Sequence, residues 1–284
     1  MKIKTVGVIG AGTMGNGIAQ VCAAAGLRVV MQDIAQAQVE AGIDTINGSL
    51  DRLIKKEKIN ASDKQQTLSN IDTATTLEAL ADVDIVIEAA TENEALKLSI
   101  FEQLDQVCKP AVILASNTSS ISLTRIAGAT SRAAQVIGMH FMNPVPMMAL
   151  VEVIRALQTS DEVCQAVVDL SEYIGKVPVE AKDSPGFVAN RIIVPMINEA
   201  AYALYEGLAT AEGIDEIMKL GAGHPMGPLM LADLVGLDVC LSVIKVMHEG
   251  FGDSKYRPCP LLQQMVDAGY LGRKSGRGFY RYDD

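Results

Sequence analysis

Two residues near the middle of the chain have the chemistry of an acid–base pair. His140 follows an apolar run that predicts a strand over 136–139, and an imidazole is the natural proton acceptor at neutral pH. Glu152 lies within a second apolar run, 150–154, where an unpaired carboxylate would be unfavourable. Pairing would satisfy the acid, fix the imidazole tautomer and stabilise an imidazolium. The alternatives are a structural histidine and a surface glutamate on an edge strand.

Two further polar residues could act on a substrate oxygen. Ser119 follows the strand predicted over 112–115, and ligands of open α/β sheets bind at the carboxyl ends of strands. The alternative is that this serine-rich stretch only caps a helix before Leu123. Asn190 lies just inside the first helix expected after residue 184. Its amide could reach a substrate carbonyl, or it could merely stabilise the interdomain turn.

The first 33 residues have the order of a dinucleotide-binding unit: strand, glycine-rich turn, helix, second strand and terminal acid. Gly10 permits a tight turn, Gly12 lets main-chain N–H groups approach a pyrophosphate, and Gly15 lets helix and strand pack closely. The helix N-terminus adds partial positive charge for the anion. The residues of this motif are Gly10-Ala11-Gly12-Thr13-Met14-Gly15.

The terminal acid of this unit predicts which dinucleotide binds. Asp33 ends the second strand, where a carboxylate can accept hydrogen bonds from the ribose hydroxyls. The same carboxylate would repel a 2′-phosphate, and the next residue is Ile34 rather than arginine. These features favour NAD over NADP.

A basic run lies in a chain that is otherwise acidic. Arg52 and Lys56 are four residues apart near the end of a helix predicted over 36–58, so they share one face. Such a face could bind the phosphates of a large anionic substrate. The alternative is an ordinary solvated helix surface.

The composition limits the class of protein. The net charge of −10 over 284 residues argues against general nucleic-acid or membrane binding. Because a strand is predicted directly at the start of the sequence, we expect no signal peptide. The five scattered cysteines, with no CxxC pair, favour reduced thiols in the cytoplasm and argue against a metal site.

The order of predicted elements indicates two domains. Alternating strands and helices over 1–183 predict a Rossmann-type α/β domain with a mostly parallel, doubly wound sheet and a helical arm at about 36–70. Asp183-Ser184-Pro185-Gly186 is typical of a hinge. Beyond it, helices over about 187–206, 210–220, 228–248 and 260–268 predict an all-α domain at 184–284. We expect this domain to contribute to a substrate cleft and a homodimer interface.

In its motifs the chain resembles the L-3-hydroxyacyl-CoA dehydrogenase family, and most of all its short bacterial members that act on 3-hydroxybutyryl-CoA. The resemblance runs almost from end to end. Besides the glycine motif it includes Ala115-Ser116-Asn117-Thr118-Ser119-Ser120, His140-Phe141-Met142-Asn143-Pro144-Val145, Asp183-Ser184-Pro185-Gly186-Phe187-Val188-Ala189-Asn190-Arg191, Pro225-Met226-Gly227-Pro228 and Gly272-Arg273-Lys274-Ser275-Gly276-Arg277-Gly278-Phe279-Tyr280.

The resemblance implies roles for residues. His140 would be the catalytic base, Glu152 its partner, and Ser119 and Asn190 would hydrogen-bond the substrate. Arg52 and Lys56 match the arm that the family uses on CoA, though less closely. The positions that match NAD contacts of the family are Glu92, Lys97, Asn143 and Lys274.

The function that follows is reversible NAD-dependent oxidation of a (3S)-3-hydroxyacyl-CoA to the 3-ketoacyl-CoA. One alternative is a dehydrogenase of a free hydroxy acid or sugar acid on the same fold. Another is a non-catalytic NAD-binding or structural relative, against which the complete set of polar site residues argues.

Overall fold

In a computed structural model, which describes residues 3–282, the chain divides into two compact units, one ending at Asp183 and the other beginning at Ser184. The ends of the two predicted domains, residues 1–2 and 283–284, lie outside the described residues. The first unit alternates strands and helices, and the second is built from helices. This is the predicted fold class.

The first unit is an eight-stranded sheet in the order β3-β2-β1-β4-β5-β6-β7-β8. Its strands are β1 (Thr5–Ile9), β2 (Arg28–Gln32), β3 (Ile71–Ala74), β4 (Ile85–Glu88), β5 (Ile113–Ser116), β6 (Val136–Phe141), β7 (Leu150–Arg155) and β8 (Val177–Lys182). Its helices are α1 (Thr13–Ala24), α2 (Gln36–Lys55), α3 (Ala61–Ser69), α4 (Glu94–Val107), α5 (Leu123–Gly128) and α6 (Asp161–Tyr173).

The direction of the strands decides where a ligand can bind. Among the described strands, all neighbours are parallel except β6 and β7, which are antiparallel. The chain leaves β1 for β2 and β3 on one side and then returns to β4 on the other. Such a reversal of strand order opens a crevice at the carboxyl ends of the strands, where open α/β sheets bind ligands.

The sheet is held by apolar strands that are covered on both faces. Val6, Val8, Ile85 and Ile87 are completely buried, as expected for parallel strands between two helical layers. The edge strand β3 is short and half exposed, and its sequence Ile-Asp-Thr-Ala has no apolar run. The pattern of the sequence therefore did not predict this strand.

The second unit contains five α-helices in its described part. They are α7 (Ala189–Tyr205), α8 (Ala211–Ala222), α9 (Pro228–Val235), α10 (Leu237–Phe251) and α11 (Pro260–Asp267). The single helix predicted over 228–248 is wrong: it is two helices broken at Gly236, whose φ of 105° is incompatible with a continuing helix. None of the described helices is long and apolar enough to cross a membrane.

Candidate active site

The turn between β1 and α1 is shaped for close approach of a ligand to the main chain. Gly10 has a φ of 90°, and a Cβ on Gly15 would lie 1.6 Å from the Gly10 carbonyl oxygen, so only glycine fits there. Apart from Gly12 and its two chain neighbours, no described residue has an atom within 4 Å of the position that a Cβ on Gly12 would occupy. The first turn of α1, with Thr13 and Met14, thus presents its amides beside open space, as a pyrophosphate requires.

Asp33 lies at the carboxyl end of β2 and holds this turn in place. Its Oδ2 accepts a hydrogen bond of 2.7 Å from the Ala11 N–H, and its Oδ1 accepts one of 2.7 Å from the Ile34 N–H. A carboxylate has about four lone-pair sites, so capacity for ribose hydroxyls remains. The residues present therefore fit NAD at this edge of the sheet.

A cleft of about 330 Å³ brings distant sequence motifs together. It is lined by Gly12 and Thr13 from the first turn of α1, by Ser49 and Arg52 from α2, and by Asn143 from the loop between β6 and β7. Lys56 follows α2 and is exposed, but it does not line this cleft. The structure thus places Arg52 next to the glycine motif, and Lys56 beyond it.

The loop that carries Asn143 is clamped by a buried cation that the sequence did not reveal. The Lys176 ammonium donates to the main-chain oxygens of Val145 at 2.6 Å and Met148 at 2.8 Å. Burial lowers the pKa of Lys176. The clamp fixes the rim of the cleft next to α1, where a Cβ on Gly17 would lie 2.8 Å from the Val145 Cβ.

A buried ion pair lies at the end of β4. Lys97, on α4, contacts the Glu88 carboxylate at 2.6 Å, and the side chains of these two residues are 1% and 0% exposed. The Ser116 hydroxyl donates to the other Glu88 oxygen at 2.6 Å, and the Lys97 ammonium donates to the Ala90 carbonyl at 3.2 Å. The ammonium of Lys97, a predicted NAD contact, is thus enclosed by protein oxygens.

Glu92 organises the loop that contains Ser119. Its Oε1 accepts hydrogen bonds from the Thr118 hydroxyl at 2.6 Å, the Ser119 N–H at 2.9 Å and the Ser120 N–H at 3.1 Å. Its Oε2 lies 3.5 Å from the Lys97 ammonium. Burial alone would raise the pKa of Glu92, but Lys97 and these hydrogen bonds outweigh burial and hold that pKa below its ordinary value.

The two candidate acid–base residues form a buried pair. His140 and Glu152 lie opposite each other in the antiparallel register of β6 and β7. The His140 Nδ1 is 2.7 Å from the Glu152 Oε2, and these residues are 7% and 3% exposed. Burial excludes the surface glutamate considered from the sequence. With Nδ1 against the carboxylate, Nε2 is the nitrogen that can exchange a proton with a substrate.

Two candidate residues belong to the second unit. Asn190 is the second residue of α7. Lys274 lies in a short 3-10 helix, Arg273–Ser275, and its ammonium is 2.6 Å from the Asp238 carboxylate at the start of α10. Within residues 3–282, no group of His, Cys, Asp and Glu is arranged to hold a metal ion.

Comparison with known proteins decides the family. Residues 5–184 match the profile of the 3-hydroxyacyl-CoA dehydrogenase NAD binding domain, and residues 186–282 match that of its C-terminal domain. The chain belongs to the 3-hydroxyacyl-CoA dehydrogenase family. Members of this family are NAD-dependent oxidoreductases, so the resemblance seen in the sequence motifs is confirmed.

Within the 3-hydroxyacyl-CoA dehydrogenase family, similar proteins match over the full length. The chain is 55% identical over 280 residues to the 3-hydroxybutyryl-CoA dehydrogenase of Bradyrhizobium diazoefficiens, covering 99% of this chain and 96% of the relative. The crystal structure of (S)-3-hydroxybutyryl-CoA dehydrogenase from Ralstonia eutropha is 59% identical, with a TM-score of 0.97 and complete coverage of both chains. A diketoreductase acting on dicarbonyl compounds is 32% identical, with a TM-score of 0.86, covering 99% and 100% of the two chains.

Proposed function

We propose that the chain catalyses the reversible oxidation of (3S)-3-hydroxybutyryl-CoA to acetoacetyl-CoA with NAD. The observation that carries this proposal is the buried His140–Glu152 pair, which lies in the same unit as the dinucleotide turn. The names of the relatives from Bradyrhizobium diazoefficiens and Ralstonia eutropha support the four-carbon acyl group.

In this mechanism His140 is the general base. Its Nε2 takes the proton of the 3-hydroxyl group while the C3–H bond breaks, and the carbonyl at C3 forms. NAD, when bound, would supply the acceptor for the hydride of C3. Glu152, 2.7 Å from Nδ1, balances the positive charge that the ring gains. In the reverse direction protonated His140 returns the proton to the oxygen on C3.

Ser119 and Asn190 complete the proposed substrate contacts. The Ser119 hydroxyl, in the loop anchored by Glu92, donates to the oxygen on C3 as negative charge develops there. Asn190 donates its side-chain amide to the neighbouring thioester carbonyl. The Ser119 contact would be made by a group that its loop holds before substrate arrives, which is how such stabilisation becomes effective.

The cofactor contacts are proposed from the geometry and the family resemblance together. The amides of Gly12, Thr13 and Met14 would face the pyrophosphate, and Asp33 would accept from the ribose. The remaining proposed NAD contacts are Gly10, Gly15, Glu92, Asn143, Lys97 and Lys274. Of these, Lys97 would act mainly through the carboxylate of Glu92, because its ammonium is enclosed.

The helical arm would bind the CoA portion of the substrate. Arg52 lines the cleft beside the glycine motif, which suits a phosphate or pantetheine group. Lys56 lies exposed just past the end of α2, and we propose that it makes a longer-range contact to a CoA phosphate.

The oligomeric state and the location in the cell complete the proposal. We infer a homodimer formed by the second unit, since it exposes large apolar side chains at Ile192, Leu208, Ile217 and Leu220. We also place the enzyme in the cytoplasm, since its five cysteines are buried thiols rather than disulfides. Light scattering of the purified protein tests the first inference, and a monomer at micromolar concentration would contradict it.

The decisive experiment is an NADH-oxidation assay with acetoacetyl-CoA. NADPH in place of NADH tests the role of Asp33, and free acetoacetate in place of the thioester tests the CoA arm. We expect turnover only with NADH and the thioester. Preference for the free acid or a small dicarbonyl would support the diketoreductase-like alternative, and NADH binding without turnover of any of these compounds would support a non-catalytic relative.

A further inference from the structure

Asn117 occupies the junction of three strands at the carboxyl edge of the sheet. The last pair of β5 and β6 joins Ser116 to Gly138, so Asn117 lies one residue beyond this ladder. Its main-chain N–H donates to the Glu88 carbonyl at 2.7 Å, on the side of β4. Its side-chain Oδ1 accepts from the Phe141 N–H at 2.9 Å, on the side of β6.

The side chain thereby replaces a missing main-chain partner. After Asn117 the chain turns away into the loop held by Glu92, and the residues of β5 that pair with β6 end at Ser116. Phe141 is only 2% exposed, so its main-chain N–H needs a protein acceptor. On the side of β5 that acceptor is the Asn117 side chain. The amide oxygen of Asn117 continues the ladder by one more hydrogen bond.

This bond joins the two segments that carry the proposed contacts to the substrate oxygen. Ser119 follows Asn117 by two residues, and His140 immediately precedes Phe141. On the other side of β6, His140 is held by β7 and Glu152. The relative position of the Ser119 hydroxyl and the His140 ring therefore depends on the bond between Asn117 and Phe141.

We propose that Asn117 is a positioning residue that fixes Ser119 and His140 at the spacing needed to bind one oxygen atom together. The proposal rests on the proposed function, because it assumes that both groups act on the oxygen at C3. Asn117 itself need not touch the substrate. A displacement of about 1 Å between two such groups can cost on the order of 100-fold in rate.

The test compares two variants of Asn117 with a control residue whose hydroxyl bonds to the opposite end of β6. Asn117→Ala removes the acceptor, and Asn117→Asp keeps an oxygen at the same place. The control is Thr159→Val: at the amino end of β6, the Thr159 hydroxyl donates to the Val136 carbonyl at 2.6 Å and accepts from the Ala156 N–H at 2.9 Å. Thr159→Val thus removes buried bonds of the same kind far from the site.

We expect Asn117→Ala to lower kcat for acetoacetyl-CoA reduction by roughly 10- to 100-fold, while KM for NADH changes less than about twofold. Asn117→Asp should recover most of that loss. Thr159→Val should lower the melting temperature at least as much as Asn117→Ala and leave kcat near the wild-type value. Hydrogen exchange at the Phe141 amide should accelerate in Asn117→Ala and not in Thr159→Val.

A double variant distinguishes positioning from general weakening of the fold. If Asn117 acts through Ser119, then adding Asn117→Ala to Ser119→Ala should cost much less than Asn117→Ala costs in the wild type. Fully multiplicative losses, or an Asn117→Ala enzyme with normal kcat, would overturn the proposal. Should Asn117→Ala not fold, Asn117→Gln keeps the amide but lengthens its reach, and normal kcat in that variant would equally overturn it.

Failure of the function itself gives a different result. If the wild-type protein does not oxidise NADH with acetoacetyl-CoA, the proposed function fails before any variant is made. If the wild type is active but the Asn117 variants lose stability without losing kcat, as expected for Thr159→Val, then only the positioning role is wrong.

Discussion

The two halves of the sheet's carboxyl edge are built on different principles. Around β1 and β2 the surface offered to a ligand is mostly main chain: a turn with glycine at 10, 12 and 15, a helix N-terminus and one acid, Asp33. Around β6 and β7 it is made of side chains, and His140 depends on Glu152, 2.7 Å away across an antiparallel pair.

This contrast assigns different tasks to the two halves. A main-chain surface binds an anion with fixed dipoles and needs no titration. A buried imidazole beside a carboxylate is suited to proton transfer with a substrate. Variants in the first half should therefore change the affinity for NADH, and variants in the second half should change turnover.

The strongest test of the contrast is His140→Gln. General acid–base catalysis is worth about 10²- to 10⁴-fold, so kcat should fall at least ~100-fold while NADH affinity, measured by fluorescence titration, persists. His248→Gln, in the last turn of α10, is the matched control. A His140→Gln enzyme that keeps most of its turnover would remove this residue from the mechanism.

Between the two halves, Glu88 at the end of β4 forms a buried ion pair with Lys97 on α4. Lys97→Met leaves a buried carboxylate without its partner and should lower the free energy of unfolding in urea by about 3–5 kcal/mol. Lys109→Met breaks an exposed pair with Asp82 and should cost at most about 1 kcal/mol. Equal losses in the two variants would show that burial of the Glu88–Lys97 pair is not what matters.

Glu152→Gln keeps the shape of the side chain but removes its charge. The amide cannot balance an imidazolium, so we expect kcat to fall at least ~10-fold with little change in NADH affinity. Glu180→Gln, on the neighbouring strand β8 and exposed, should have no such effect. An unchanged rate in Glu152→Gln would show that the ring needs a hydrogen-bond partner rather than a charge.

In the first half, Asp33→Asn should raise the dissociation constant of NADH roughly tenfold, because hydrogen bonds to a charged group contribute about 1.5–3 kcal/mol and part of that is lost. Turnover at saturating NADH should stay close to the wild-type value. The affinity for NADPH relative to NADH should rise, because the carboxylate that repels the 2′-phosphate is gone. A fall in kcat with no change in affinity would reverse the division between the two halves.

The smallest effect is expected in the arm. Arg52→Ala combined with Lys56→Ala should raise KM for acetoacetyl-CoA roughly twofold to fivefold and flatten its dependence on salt. Arg28→Ala with Lys109→Ala removes the same charge at the amino ends of β2 and β5 as a control. If both pairs respond alike, the basic run is an ordinary solvated surface.

The sequence predicted most of the first half because its function is encoded in local spacing. A strand, three glycines, a helix and an acid follow one another within 33 residues, and each has a steric reason to be there. Strand β2 ends at Gln32, so that Asp33 follows it directly, as the motif requires. The polar edge strand β3 lacks such a run and was missed.

In the second half, the sequence predicted the candidate residues His140 and Glu152 but not the surrounding contacts that hold this part of the sheet edge. An acid inside an apolar strand pointed to a partner, and the structure places His140 opposite it. The predicted strand 136–139 is too short, because β6 continues through Phe141 while it pairs with β7. Glu88 and Lys176 are held by contacts between distant elements, which neither composition nor periodicity reveals. The roles of the individual site residues stay predictions.

The antiparallel turn between β6 and β7 also affects how the chain assembles. His140 and Glu152 are separated by 12 positions, so the loop that must close to join them is short and loses little chain entropy. The glycine turn depends on more distant contacts. The Gly10 N–H donates to the Gln32 carbonyl, and β1 pairs with β4, in which Ile85 is the partner of Val6. We therefore expect the His140–Glu152 pair to form early in folding, and the crevice beside the glycine turn to form only when the distant strands pair.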